Sequence, residues 1–349
     1  MVRMIVLSST FFRNRAKTEI EEIFGKCSFE DLFEGNFIFD SNYSKSESLK
    51  KIKEKDPVFV HNSIPVDIYL NFLGDYKDIS EIITKNNLLK KDKPFSIETI
   101  TYDTDIMSRD IEVNVGSLLE KEGYKVDRKN LSQLIGILVH GEKMYIGSAE
   151  AESFLYSYIN LSKRFSRESI KDSRLNRAQF KLIEAIERFN ISLDGKGKYA
   201  LDLGASPGGW TKVLSSKGYE VIAVDKGDLD NSLKNNKEIY HIRKTITNKN
   251  MEDIQNSLKD IIRNKRLDII TNDMNLSPDE SYSLMNDFSK YLCINGKAIM
   301  TLKSVNRNIM NLLKETKEKL KDNYHIVKVK HLEQNRREVT LYLKKNEQQ

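Results

Sequence analysis

The most constraining feature of this chain is the stretch Tyr199-Ala200-Leu201-Asp202-Leu203-Gly204-Ala205-Ser206-Pro207-Gly208-Gly209-Trp210-Thr211. An apolar run stops at small residues and opens onto a helical pattern, Trp210 to Ser216, so it reads as strand, glycine-rich turn and helix start. Glycines 204, 208 and 209 have no Cβ to keep a ligand away from the backbone. The helix start behind them offers unpaired N–H groups. A second apolar run, Tyr219 to Val224, leads to Asp225, about 20 residues past the first strand, where a carboxylate can accept hydrogen bonds from ribose hydroxyls. The chain has no G-x-G-x-x-G and no G-x-x-x-x-G-K-[ST]. The pattern therefore points to a nucleoside-bearing cofactor at the carboxyl ends of parallel strands, without a dinucleotide fingerprint or a phosphate loop.

Asp202-Leu203-Gly204-Ala205-Ser206-Pro207-Gly208-Gly209-Trp210-Thr211 resembles motif I of the FtsJ-type class I methyltransferases, which bind S-adenosylmethionine. The resemblance implies a cofactor site formed by Asp202, Gly204, Ser206, Pro207, Gly208, Gly209, Trp210, Asp225 and Asp273. It also implies a Lys-Asp-Lys-Glu set for methylating ribose 2′-oxygens. Lys181 lies in R-A-Q-F-K-L-I-E-A, Asp273 follows Leu267–Asn272, Lys303 ends Ala298–Leu302, and Glu338 opens R-R-E-V-T. A ribose hydroxyl is a weak nucleophile, so a base must take its proton as the methyl is transferred. An ammonium cannot do this. A second lysine nearby, together with desolvation, favours the neutral amine. Lys303 is assigned as the base, with Lys181 tuning it and orienting the ribose, and with Asp273 and Glu338 positioning the two lysines. Base N-methylation would place N/D-P-P-F/Y where this chain has Asn272-Asp273-Met274-Asn275, and cytosine C5-methylation would require cysteine nucleophiles.

With 349 residues the chain is expected to hold more than one domain. Its net charge of +6 is compatible with nucleic acid without demanding it. The two cysteines, Cys27 and Cys293, and the five histidines lack metal-ligand spacing, so neither zinc nor a disulfide framework is expected. The apolar start, Met1 to Ser9, is short and runs into Arg13-Asn14-Arg15, and no stretch reaches membrane-spanning length. A reducing cytoplasm is the expected location.

Before the central motif, residues 1–73 alternate strand and helix in the manner of a ferredoxin-like module. Residues 74–150 carry a helix, V-D-x-x-N at Val126 to Asn130, an apolar strand Gln133 to His140 and a hairpin through Gly141. This is similar to a THUMP domain, an RNA-binding module of RNA-modifying enzymes. Residues 151–176 form a junction of Phe154, Tyr156 and Tyr158 followed by Lys163, Arg164, Arg167, Lys171 and Arg174. Such a mixture can grip phosphates and stack on bases, or serve as an exposed linker helix. Residues 177–349 alternate strand and helix as a doubly wound domain. The expected fold is thus α/β, a C-terminal class I (Rossmann-like) methyltransferase domain preceded by ferredoxin-like and THUMP-like α+β domains.

This order, with D-L-G-A-S-P-G-G-W-T, V-D-K-G, N-D-M, T-L-K and R-R-E-V-T, resembles the RlmM family of bacterial ribosomal RNA ribose methyltransferases. Ser206 stands where that family has Cys, and the segment around Lys244-Thr245 lacks an acidic residue. The resemblance implies 2′-O-methylation of a cytidine in large-subunit RNA, with RNA as partner and no obligate protein partner. Alternatives are a degenerate relative serving as an RNA-binding or ribosome-assembly factor, and a methyltransferase acting on transfer RNA or on a base.

Overall fold

In the computed structural model of the chain, residues 1–72, 74–156, 178–303 and 308–347 are described. Of the expected junction, residues 157–176, including Lys163, Arg164, Arg167, Lys171 and Arg174, lie outside them. The chain divides into two compact units, Met1–Arg164 and Phe165–Gln349.

The first unit contains two sheets. One is built from β1 (Val2–Leu7), β2 (Phe29–Asp31), β3 (Phe37–Ser41) and β4 (Asn62–Val66), in the order β2-β3-β1-β4 and antiparallel throughout. Helices α1 (Arg13–Phe24) and α2 (Lys45–Lys55) connect β1 to β2 and β3 to β4. This is the split βαβ order. Pro65 is tolerated within β4 because that strand is an edge. The next strand, β5 (Ile68–Asn71), leaves this sheet although the sequence groups it with residues 1–73. It pairs instead with β8 (Lys143–Glu150) in a second sheet of order β5-β8-β7-β6. There β6 (Phe95–Tyr102) and β7 (Gln133–His140) run parallel, joined through α4 (Ser108–Lys121), while α3 (Tyr76–Lys85) follows β5. Ile79, Ile83, Ile111, Val115 and Leu119 close the core over Ile97, Ile135 and Ile137. Met107 occupies the cap position of α4, and the Ser108 hydroxyl bonds Thr101 Oγ1 at 3.0 Å.

The second unit is a seven-stranded sheet. In chain order its elements are α5 (Ala178–Arg188), β9 (Tyr199–Leu203), α6 (Gly209–Ser216), β10 (Glu220–Val224), β11 (Ile239–Ile242), α7 (Met251–Ile262), β12 (Leu267–Asn272), α8 (Pro278–Ser289), β13 (Leu292–Lys303), α9 (Ile309–Leu320), β14 (Tyr324–Lys330) and β15 (Glu338–Lys345). The strand order is β11-β10-β9-β12-β13-β15-β14. Six of the seven strands run in one direction, and β15 enters antiparallel to them between β13 and β14. β11 is a strand that the sequence pattern does not reveal, since Ile239-Tyr240-His241-Ile242 is too short and polar to alternate. Strand order reverses between β9 and β12, and a crevice for a ligand opens at such a switch point, outside the carboxyl ends.

Period-two alternation decides what faces that crevice. Ala200, Ile269, Ile299 and Tyr342 point to the face where Leu182 and Ala185 of α5, Phe189 just beyond it, and Trp210, Val213 and Leu214 of α6 pack. Counting in twos along the strands, Asp273, Lys303 and Glu338 have that same parity. All three therefore emerge at one end of the sheet, on the side covered by α5.

Candidate active site

The register of β13 against β15 pairs Lys303 with Glu338, and Thr301 with Thr340 two residues further in. Asp273 follows the end of β12, which lies beside β13. Lys181 comes from α5, whose first turn is held where the Trp210 indole N–H donates to the Ala178 carbonyl at 2.7 Å. These elements bring the four residues together. Lys181 Nζ lies 2.8 Å from Glu338 Oε1, and 3.1 and 3.2 Å from the two Asp273 oxygens. Lys303 Nζ faces the same two carboxylates at greater range, 3.8 Å from Glu338 Oε1 and 4.0 Å from Asp273 Oδ1. Thr301 fixes the Asp273 carboxylate by donating to Oδ1 at 2.8 Å. The sequence reading missed Thr301, although its place two residues before Lys303 puts it on the same face.

Distance separates the two lysines. Burial alone would drive the Lys181 ammonium down, but Asp273 and Glu338 outweigh it and hold Lys181 above its ordinary value. Burial likewise works to raise Glu338, yet the hydrogen bond from Lys181 and the charges of Lys181 and Lys303 leave it below the usual carboxylate range. Lys181 is therefore a fixed ammonium, clamped by both acids. Lys303 is the more loosely held of the two. Both line an open cleft of about 600 Å³ with Ala178, Asn275, Gln334, Arg336, Arg337 and Glu338.

The glycine-rich turn lies at the carboxyl ends of β9 and β10. Gly204 has φ +78°, and a Cβ there would overlap Met274 Cγ; Gly208, with φ +115°, precedes α6. Asp225 ties the turn to the end of β10, since Oδ2 accepts from Ser206 N at 3.2 Å and Oδ1 from Gly227 N at 2.8 Å. Ser206 Oγ donates to the Asp228 carbonyl at 2.9 Å, and the Pro207 carbonyl accepts from Asp230 N at 2.8 Å. Asn272 Nδ2, buried at the switch point in register with Leu203, has no hydrogen-bond partner among the described residues. A buried unmet donor beside a Cβ-free turn fits a polar ligand.

Two of the expected cofactor residues take other roles. Asp202 is 1% exposed and lies beneath the turn, accepting from Thr211 Oγ1 at 2.6 Å and Thr271 Oγ1 at 2.9 Å. It braces β9 to α6 and β12, and burial lifts its carboxyl to about 6 against the pull of the threonine hydroxyls. Trp210 is packed in the α5–α6 core, with its one donor spent on Ala178. Near Lys244-Thr245, where the local sequence offers no acid, Asp253 of α7 reaches Lys244 Nζ at 3.1 Å. Among the described residues no cluster of His, Cys, Asp and Glu could hold a metal ion, and no helix is long and apolar enough to cross a membrane.

Residues 174–346 match the model of the FtsJ-like methyltransferase family. An uncharacterized protein of Methanocaldococcus jannaschii is 40% identical over 177 residues, which are 49% of this chain and 47% of that protein. Ribosomal RNA large subunit methyltransferase M of Pseudomonas putida is 33% identical over 140 residues, 38% of each chain. Ribosomal RNA large subunit methyltransferase E of Wolbachia sp. subsp. Brugia malayi is 41% identical over 66 residues, 19% of this chain and 30% of that protein. Each match spans less than half of the relative's own length. Over residues 174–346, just under half of its length, this chain carries an FtsJ-like methyltransferase domain.

Proposed function

We propose that the protein is an S-adenosylmethionine-dependent RNA methyltransferase that modifies a ribose 2′-oxygen, on a cytidine of large-subunit ribosomal RNA. The observation that carries this reading is the junction of two lysines and two acids in one cleft, with one lysine clamped and the other loosely held. Gly204, Ser206, Pro207, Gly208, Gly209 and Asp225 would hold the cofactor, with Asn272 Nδ2 as a further donor to it. S-adenosylmethionine, when bound, supplies an electrophilic methyl on a sulfonium.

The chain's own residues do the rest. Lys303, as a neutral amine, takes the proton of the ribose 2′-hydroxyl and makes its oxygen nucleophilic. Lys181 stays charged and offers its remaining N–H to the sugar oxygens. Asp273 and Glu338 hold both lysines at fixed positions, which is worth more than their charge, since misplacement by about 1 Å can cost roughly 100-fold. Arg336 and Arg337 give the cleft a cationic rim suited to the phosphates on either side of the ribose. The first unit, with the THUMP-like stretch 74–150, is proposed to hold RNA.

The test is to compare ribose methylations in total RNA from wild-type and deletion strains. Loss of one 2′-O-methyl cytidine in large-subunit RNA is expected. Loss of a base methylation, or of a transfer RNA mark, would replace the proposal with one of the alternatives. An unchanged RNA would leave a degenerate relative acting by binding.

A further inference from the structure

Lys181 reaches Glu338 at the start of β15, and a second acid–base pair of α5 reaches the loop before it. Lys181, Glu184 and Arg188 fall at i, i+3 and i+7 and so form one stripe along the helix. Glu184, 1% exposed, points its carboxylate into the loop between β14 and β15. Its Oε1 accepts from Glu333 N and from Arg188 Nε, both at 2.9 Å, and its Oε2 accepts from Gln334 N at 3.2 Å. Arg188, its side chain 2% exposed, donates in turn from Nη2 to Glu333 Oε1 at 2.7 Å.

The loop is braced internally as well. Asn335 N bonds the Leu332 carbonyl at 3.0 Å, while Asn335 Nδ2 donates to the Glu338 carbonyl at 2.9 Å and to Thr340 Oγ1 at 3.1 Å. His331 adds a bond from Nε2 to the Arg336 carbonyl at 3.3 Å. A shift imposed at 333–334 is thus carried to Glu338, whose carboxylate faces both lysines. A buried ionic network of this kind is not required for stability, because apolar side chains of like volume often serve as well or better. What it adds is direction, since two backbone N–H groups and a guanidinium fit one carboxylate in one orientation only.

We propose that Glu184 is a positioning residue for the transfer step: it sets the β14–β15 loop on α5 and so fixes Glu338 against Lys181 and Lys303. This rests on the proposed tetrad and extends it. The test combines Glu184→Gln with Glu338→Gln in a methyl-transfer assay on unmodified large-subunit ribosomal RNA, with cofactor affinity and melting temperature measured on the same preparations. Glu184→Gln is expected to lower kcat roughly 10- to 100-fold, with cofactor affinity within twofold of wild type. In the Glu338→Gln background the added loss should shrink to less than threefold, because both changes act through one carboxylate. Multiplication of the two losses, or wild-type kcat in a folded Glu184→Gln protein, would overturn the inference. Should Glu184→Gln fail to fold, the apolar pair Glu184→Met with Arg188→Met removes the buried charges together. Full kcat in that pair would reduce the network to packing; a selective fall in kcat would uphold it. Lys303→Ala in the same assay keeps the two readings apart. Wild-type turnover in that variant would sink the tetrad itself, whereas a strongly impaired Lys303→Ala beside a fully active Glu184→Gln would sink only the positioning role.

Discussion

At the scale of single residues, about 1 Å separates the roles proposed for the two lysines. Lys181 is bound at 2.8–3.2 Å by both acids and is held charged, while Lys303 stands at 3.8–4.0 Å from the same carboxylate oxygens. Lys303→Ala should therefore lower methyl transfer by roughly 10²- to 10⁴-fold, the usual span for a lost general base. Isothermal titration should show cofactor affinity little changed; wild-type turnover would remove Lys303 from the chemistry. His331 supports a second prediction, on stability. Burial holds its imidazole down at about 4, against an ordinary 6.5. Between those values the unfolded chain takes up a proton that the fold refuses, so His331 lowers stability as pH falls from about 6.5 to 4 and contributes no pH dependence above that window. The effect approaches about 3 kcal/mol at the acid end. His331→Gln should flatten that part of a denaturation-versus-pH curve, and an unchanged slope would place the titration elsewhere.

At the scale of elements, the site depends on how α5 is seated over the strand ends. Trp210 donates to the Ala178 carbonyl at the start of α5, Glu184 ties the same helix to the β14–β15 loop, and Lys181 ties it to the start of β15. Trp210→Phe keeps the ring but leaves the Ala178 carbonyl without that donor, a loss of about 1 kcal/mol. The expected outcome is a fall in melting temperature of a few degrees with a reduced kcat. Cofactor affinity should hold, because the indole lies in the core and not in the turn. A cofactor Kd raised tenfold or more would restore the direct contact that the sequence motif suggests. The strand ends that carry Asp273, Lys303 and Glu338 were legible in the chain, because N-D-M, T-L-K and R-E-V each follow or open an apolar run. The α5 clamp was not legible, because Glu184 and Glu333 look like ordinary charges until the fold buries them.

At the scale of the whole molecule, the first unit depends on a close approach between its two sheets. A Cβ on Gly147 of β8 would overlap the Pro65 carbonyl oxygen of β4. Beside it, Asp67 joins the sheets by accepting from Ser148 N at 2.8 Å while pairing with Lys45 at 2.8 Å. Gly147→Ala should destabilise this unit by about 3 kcal/mol, seen as a lower first transition in thermal unfolding. If the unit holds RNA, as proposed, this variant should lose methylation of ribosomal RNA yet keep cofactor affinity; retained methylation would assign RNA binding to the second unit. By itself, the sequence determined the strand, glycine turn and helix around Gly204, the alternating α/β order after it, and the strand ends that carry Asp273, Lys303 and Glu338. These are short-range patterns, written by hydrophobic period and by residues whose backbone freedom is local. Only the tertiary structure decided that β5 joins the second sheet, that Asp202 and Trp210 brace the turn from below, and that Lys181 is the clamped lysine. Those outcomes depend on burial and on pairings between distant positions, such as Lys181 with Asp273, 92 residues apart. A linear pattern cannot weigh such pairings, because desolvation and charge act through space rather than along the chain.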